Sequence, residues 1–219
     1  MRVEVLPSAG TPWMPYLEDK LVVVVDVLRA TSTMVTALAN GCQSIIPVLT
    51  LEEAMEKRLS IPGALLGGER GAVKIEGYDF GNSPYDYAPE KVGGKQIIMT
   101  TTNGTRAIRA VKDAPHVWLG SFLNMESVVH AIHRLFEKDK RLNGIVVLCA
   151  GSEDRFDLPD TLCAGMLVDM LGKKVEEMND LAKAARILYQ VSQNRLQEVV
   201  RNSEQGVRIS NLGFEKDVY

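Results

Sequence analysis

The chain has 219 residues, 46% hydrophobic and 24% charged, with a mean hydropathy of −0.03. That composition belongs to a globular protein with a real core and excludes disordered, collagen-like and disulfide-stapled chains. Twenty-five Lys and Arg against 28 Asp and Glu leave a net charge of −3, without the basic excess of a nucleic-acid binder.

The opening Met1-Arg2-Val3-Glu4-Val5-Leu6-Pro7 lacks the apolar stretch of a signal peptide. The longest apolar run, Leu21–Val25, is far below the ~20 residues that span a bilayer. Cys42, Cys149 and Cys163 are an odd number without paired spacing, so the expected compartment is the reducing cytoplasm, with no membrane partner.

In chain order, Arg2–Leu6 and Leu21–Val27 are strand-like, and Thr31–Ala39 reads as a helix stopped at Gly41. Ser44–Leu49 is a strand and Leu51–Leu59 a charged helix. Ala64–Leu66 is a short strand running into a glycine-rich loop. Gln96–Thr100 and His116–Leu119 are strands, each followed by a helix, Thr105–Val111 and Met125–Glu137. Gly144–Cys149 is a strand, Thr161–Leu171 a helix, and Glu176–Arg201 is polar and helical, suited to covering a sheet face or a dimer contact. The alternation predicts one α/β domain over residues 1–219, a three-layer α/β/α sandwich around a mainly parallel or mixed sheet. The apolar runs Leu21–Val25 and Ile145–Leu148 predict strands buried on both faces. Ligands in such folds sit at the carboxyl ends of the strands.

The strand-end loops hold the chemistry-bearing residues. After Val25 come Asp26-Val27-Leu28-Arg29-Ala30-Thr31-Ser32-Thr33: an acid, an arginine and three hydroxyls at a helix start, which suits an anion. Thr31 or Ser32 could equally serve only as a helix cap. After Met99, four threonines in six positions, with Asn103, Gly104 and Arg106, again suit a phosphate. Gly67-Gly68-Glu69-Arg70-Gly71 and the run from Gly77 to Pro84 place glycines around Glu69 and Asp79. After Leu148 come Cys149-Ala150-Gly151-Ser152-Glu153-Asp154-Arg155 and then Asp157-Leu158-Pro159-Asp160, where Asp160 reads as a helix N-cap by position. Carboxylates without histidine or lysine partners suggest Mg²⁺, and arginines suit bidentate anion binding. Together they suggest metal-assisted phosphoryl transfer on a small anionic phosphorylated substrate.

These motifs, in this order, resemble the 2-phosphosulfolactate phosphatase family: Val24 to Thr33, Gly68-Glu69-Arg70, Gly77 to Pro84, Thr101 to Arg106 and Leu148 to Gly151. The resemblance runs from about Val22 to Gly165 and implies an α/β/α fold. It implies a Mg²⁺-dependent hydrolysis of (R)-2-phospho-3-sulfolactate to 3-sulfolactate and phosphate, an early step of coenzyme M biosynthesis in some archaea. It nominates Asp26, Glu69 and Asp79, with Arg29 and Arg106, as catalytic residues, and Asp26, Glu69 and Asp160 as metal ligands. Arg70, Thr31, Ser32, Thr102, Asn103, Gly104 and Thr105 are nominated for substrate binding. A homodimer is also implied. Members of the family run somewhat further than Tyr219, which reads either as truncation or as a natural short tail.

Other readings compete. Cys149 and Arg155 stand as Cys-x5-Arg, the spacing of cysteine-nucleophile phosphatases, though Glu153 and Asp154 inside that loop would repel a phosphate. Asp26 could attack phosphorus itself, but Leu28 stands where such enzymes carry a second aspartate. A sensor of a phosphorylated metabolite would need the arginine and hydroxyl loops and not the carboxylates. His130 and His133 read as surface or packing residues, and Trp13 and Trp118 as packing residues.

Overall fold

A computed structural model describes residues 1–10 and 16–218; Trp13 lies outside them. Among the described residues, nine strands fall into two sheets. The first joins β1 (Arg2–Leu6), β2 (Lys20–Val25), β7 (His116–Gly120), β8 (Gly144–Cys149) and β9 (Glu177–Met178) in the order β7-β2-β8-β1-β9, all parallel. The second joins β3 (Ser44–Pro47), β4 (Leu65–Arg70), β5 (Val73–Lys74) and β6 (Gln96–Thr100) as β3-β6-β4-β5, with only β4–β5 antiparallel.

The α/β class and the mainly parallel pairing match the alternation in the sequence. The strands nevertheless divide into two sheets. β2 and β8 occupy the middle of the first, which explains their unbroken apolar sequence: every residue of β8 is buried, and Leu21 to Val25 are fully buried. Alternate residues point to opposite faces. Leu21, Val23, Val25, Ile145 and Val147 pack against α5 (Met125–Lys138) and α6 (Leu158–Leu171), through Val128, Ile132, Leu162 and Leu167. Val22, Val24, Val146 and Leu148 meet α4 (Gly104–Ala110) through Ala107. In the second sheet, Ile97 and Met99 pack on α1 (Ala30–Ala39) and with Val92 of the short α3 (Pro89–Val92), and Ile98 and Leu66 pack with Ala54 of α2 (Leu51–Ser60). Helices α1 and α4 touch strands of both sheets. The carboxyl ends of β2 and β8 therefore approach those of β4 and β6.

Two local expectations are corrected. Glu69 and Arg70 lie in a strand, not in a flexible loop. Their glycines serve close packing: a Cβ on Gly67 would lie 2.4 Å from the Tyr87 hydroxyl, and one on Gly68 would lie 1.9 Å from the Thr100 carbonyl of β6. Helix α6 begins at Leu158, and its cap is Asp157, whose carboxylate accepts from Asp160 N at 3.2 Å. Pro159 sits in the first turn, where its missing N–H costs nothing, so Asp160 is not the cap.

The polar segment after Glu176 becomes β9, α7 (Asp180–Ser192) and α8 (Leu196–Arg201). Helix α7 lies on α6, so closely that a Cβ on Gly165 would lie 2.1 Å from the Ala185 carbonyl. Beyond it come α9 (Glu204–Ile209) and irregular helical turns to Val218. Trp118 is half-buried against the core of the first sheet. Among the described residues, no helix is long and apolar enough to cross a membrane.

Candidate active site

A polar cavity of about 210 Å³ opens where the strand ends of the two sheets meet. Asp26 and Arg29 enter it from the loop after β2, Glu69 and Arg70 from the end of β4, and Thr102 and Asn103 from the loop between β6 and α4. Six of the residues expected at a site are thus gathered in one place. Its size suits a small ligand; drug-sized ligands occupy cavities of roughly 300–1,000 Å³.

Asp26 is held rigidly. The Thr31 hydroxyl accepts from Asp26 N at 3.0 Å and donates toward the Asp26 and Gly120 carbonyls at 2.9 and 2.8 Å. One Asp26 carboxylate oxygen accepts from Ala30 N at 3.1 Å, so Asp26 itself satisfies the start of α1, and neither Thr31 nor Ser32 caps it. Burial pushes the Asp26 carboxyl up to about 7, with Asp157 and Glu69 adding repulsion against the opposing pull of Ala30 N–H and Arg29. Gly104 lets α4 close on this carboxylate, since a Cβ there would lie 2.7 Å from Asp26 Oδ2 and 2.5 Å from Ala30 Cβ.

Glu69 joins two loops: Oε1 accepts from Thr102 N at 2.7 Å and Oε2 from Ala72 N at 2.6 Å. Arg70 donates to the Glu69 and Leu49 carbonyls and to the Thr100 hydroxyl at 2.8–3.0 Å, and has no ion-pair partner among the described residues. Arg29 is buried and fully engaged. It pairs with Asp217 at 2.7 Å, donates to the Ala72 carbonyl at 2.6 Å and lies 4.3 Å over the Phe214 ring.

Other expected residues lie elsewhere or serve the scaffold. Asp79 does not line the cavity; its carboxylate accepts from Leu66 N at 2.8 Å and faces Arg58. Thr105 and Thr101 exchange side-chain and backbone hydrogen bonds and close their own turn. The Ser32 hydroxyl donates to the Val27 carbonyl at 2.8 Å and borders a separate, apolar groove. Arg106 pairs with Asp154 and is half-exposed.

Asp160 does not join a three-carboxylate metal set. Its two oxygens accept from Val27 N at 2.8 Å and Gly151 N at 3.1 Å, bracing the ends of β2 and β8. Burial, then Asp157 and Asp26, push its carboxyl well up. Among the described residues, no group of three His, Cys, Asp or Glu is placed to hold a metal ion. Asp26 and Glu69 still suit a hard cation, because Mg²⁺ commonly takes one or two carboxylates plus substrate phosphate. The buried Asp26 carboxylate, raised toward neutrality, is a group that a cation would stabilise.

The thiolate reading does not survive. Cys149 is completely buried and burial pushes its thiol well up, while Arg155 is exposed beside Glu153 and Glu204. A thiol so placed is inert.

Four polar or charged cavity residues lie outside the expected set: Asn82, Glu153, Gln205 and Arg208. Asn82 Oδ1 and Thr102 Oγ1 are buried without a hydrogen-bond partner, and the Asn82 carbonyl accepts from the Thr33 hydroxyl at 2.8 Å. Buried polar atoms are normally satisfied, so two unpaired ones in one cavity mark where a polar ligand would bind. Asn82 lies within the run from Gly77 to Pro84, whose sequence does not say which side chain turns inward.

The family model described as 2-phosphosulpholactate phosphatase matches residues 11–219. The chain belongs to this family. A protein of Thermotoga petrophila named "Probable 2-phosphosulfolactate phosphatase" is 44% identical over 202 residues, covering 92% of this chain and 84% of that protein. Proteins with the same name from Caldicellulosiruptor saccharolyticus and Clostridium tetani are 42% and 37% identical, covering 92% and 100% of this chain and 84% and 91% of theirs.

Proposed function

We propose that this protein hydrolyses the phosphate monoester of 2-phosphosulfolactate, releasing 3-sulfolactate and inorganic phosphate, with Mg²⁺ as cofactor. The observation that carries the reading is the cavity itself. It combines the carboxylates of Asp26 and Glu69, with Glu153 also in the lining, two arginines without an ion-pair partner among the described residues, Arg70 and Arg208, and two unsatisfied buried side-chain oxygens, at the strand ends of a 2-phosphosulfolactate phosphatase family member.

Water forms the new bond to phosphorus, the ester P–O bond breaks, and the departing alcohol oxygen gains a proton. Asp26 and Glu69 would hold Mg²⁺, which supplies charge neutralisation for the phosphoryl oxygens. Arg70 offers a planar set of donors, and the Thr102 hydroxyl is free to donate. Glu69, by gripping Thr102 N and Ala72 N, keeps the two loops in register. Catalysis of phosphoryl transfer is mostly positioning and electrostatics, which such a rigid frame provides. Asp79, Arg106, Thr105 and Ser32 act in this reading from outside the cavity, as supports of the loops that form it. The protein is read as a soluble cytoplasmic enzyme of one domain, able to form a homodimer.

The test is phosphate release from 2-phosphosulfolactate, phosphoglycolate and 2-phosphoglycerate, each with and without Mg²⁺. The expected outcome is metal-dependent turnover with 2-phosphosulfolactate preferred. Glu69→Gln is expected to lower kcat by about 10²–10³ while substrate still binds. Equal rates on all three compounds would sink the substrate assignment, and turnover unaffected by chelation would sink the metal.

A further inference from the structure

We infer that Arg208, carried by α9, recognises the substrate's sulfonate and so sets its specificity; this rests on the functional reading above. The cavity is lined by three arginines, Arg29, Arg70 and Arg208. They differ in what already neutralises them. Arg29 is paired with Asp217, and Asp217 is itself held by the Ser83 hydroxyl at 2.6 Å. Arg70 is partly engaged, by the Glu69 and Leu49 carbonyls and the Thr100 hydroxyl, which fix it at the second sheet's end beside the strand-end residues. Arg208 has neither a hydrogen bond nor an ion pair among the described residues, and it is exposed, at the solvent side of the cavity. A guanidinium facing an anion cavity with all its donors free is a recognition group in waiting.

Its place is fixed although its side chain is free. Gln205 Nε2 donates to the Leu28 carbonyl at 3.1 Å, tying α9 to the loop that carries Arg29. The Ser203 hydroxyl accepts from Gly206 N at 3.0 Å and caps the helix. The Asp217–Arg29 pair anchors the chain beyond it.

The chemistry of the substrate then sorts its charges. Its phosphoryl group and carboxylate sit on the same carbon, so both stay by the strand-end residues. The sulfonate sits one carbon further out and is the anion able to reach a second wall. That wall is α9, whose cation is Arg208. A sulfonate has three equivalent oxygens and a permanent charge, which suit bidentate arginine contacts.

The test compares 2-phosphosulfolactate with 2-phosphoglycerate, which differ only in carrying sulfonate or hydroxyl on the third carbon. Kinetics would be measured for wild type, Arg208→Gln and Arg208→Lys, alongside calorimetric binding of 3-sulfolactate. Arg208→Gln should lower kcat/KM for the sulfonate by about 10–10²-fold, chiefly through KM. It should leave 2-phosphoglycerate nearly unchanged and weaken 3-sulfolactate, with Arg208→Lys intermediate. Equal losses on both phosphate esters, or unchanged 3-sulfolactate binding, would overturn the assignment of Arg208. If wild type fails to hydrolyse 2-phosphosulfolactate yet binds 3-sulfolactate through Arg208, the functional reading falls and the sulfonate site stands. If wild type binds neither, both fall.

Discussion

Individual residues in this protein owe their roles to what their polar atoms touch. Thr31 in the first turn of α1 and Thr102 in the loop after β6 are the same amino acid, yet the Thr31 hydroxyl is consumed in holding Asp26, while the Thr102 hydroxyl has no partner. Only the second can serve a ligand without breaking the frame. Gly104 shows the reverse case, a residue whose value is the absence of atoms. Gly104→Ala is expected to cost about 1–3 kcal/mol by overpacking. It should also displace the Asp26 carboxylate and reduce turnover far more than a surface Gly→Ala change would. Urea unfolding measures the first effect and steady-state phosphate release the second. Normal activity in Gly104→Ala would show that Asp26 need not stay in place.

Among elements, the decisive feature is how the ends of β2 and β8 are braced by the first turn of α6. Asp160 supplies both acceptors of that brace, to Val27 N and Gly151 N. Asp160→Ala leaves two buried N–H groups unpaired, at about 1–3 kcal/mol each. Asp160→Asn retains one acceptor and should lose less. Both variants should bind Mg²⁺ with wild-type affinity once folded, because the brace acts through geometry. A folded Asp160→Asn protein with weakened Mg²⁺ binding would instead make Asp160 a ligand. The second element of note is the C-terminal run from α9 to Val218, which supplies Gln205 and Arg208 to the cavity and Asp217 to Arg29. Nothing in its polar sequence announces that role.

At the scale of the molecule, an acidic chain has folded several carboxylates into its interior at the junction of two sheets. Burial pushes Asp157 up to about 6, Glu204 adding repulsion, and Asp26 up to about 7, both above the ~3.9 of an unfolded aspartate. The folded state therefore binds more protons than the unfolded chain between those values. The stability this confers is complete below about pH 4 and is lost as pH rises through 6 and 7. Metal-free protein should accordingly show a Tm that falls from about pH 5 to pH 8, at roughly 2–4 °C per kcal/mol lost. Asp26→Asn should flatten that fall, and Mg²⁺ should raise Tm most at the alkaline end, where Asp26 is ionised. A Tm that is flat or rises over this range would contradict the raised carboxyls.

Much of this was legible one strand or one loop at a time. Strand identity in β2 and β8 follows from unbroken apolar sequence, because a strand buried on both faces has no polar positions to spare. Asp26, Glu69, Arg70, Thr102 and Asn103 could be nominated because strand ends in α/β folds are where loops converge, and all five reach the cavity. The division into two sheets was not legible, since local periodicity does not say which strands pair. Neither was the sorting of hydroxyls and carboxylates into braces and ligand-facing groups, visible in Thr31 against Thr102 and Asp160 against Asp26. Gln205 and Arg208 lie well over a hundred residues from Glu69 and enter the site only because the chain's end folds back over the loop after β2. Residue type and local spacing encode what an element can be. Which side chains share a cavity, and which of their hydrogen bonds remain open, depends on long-range packing that only the folded chain realises.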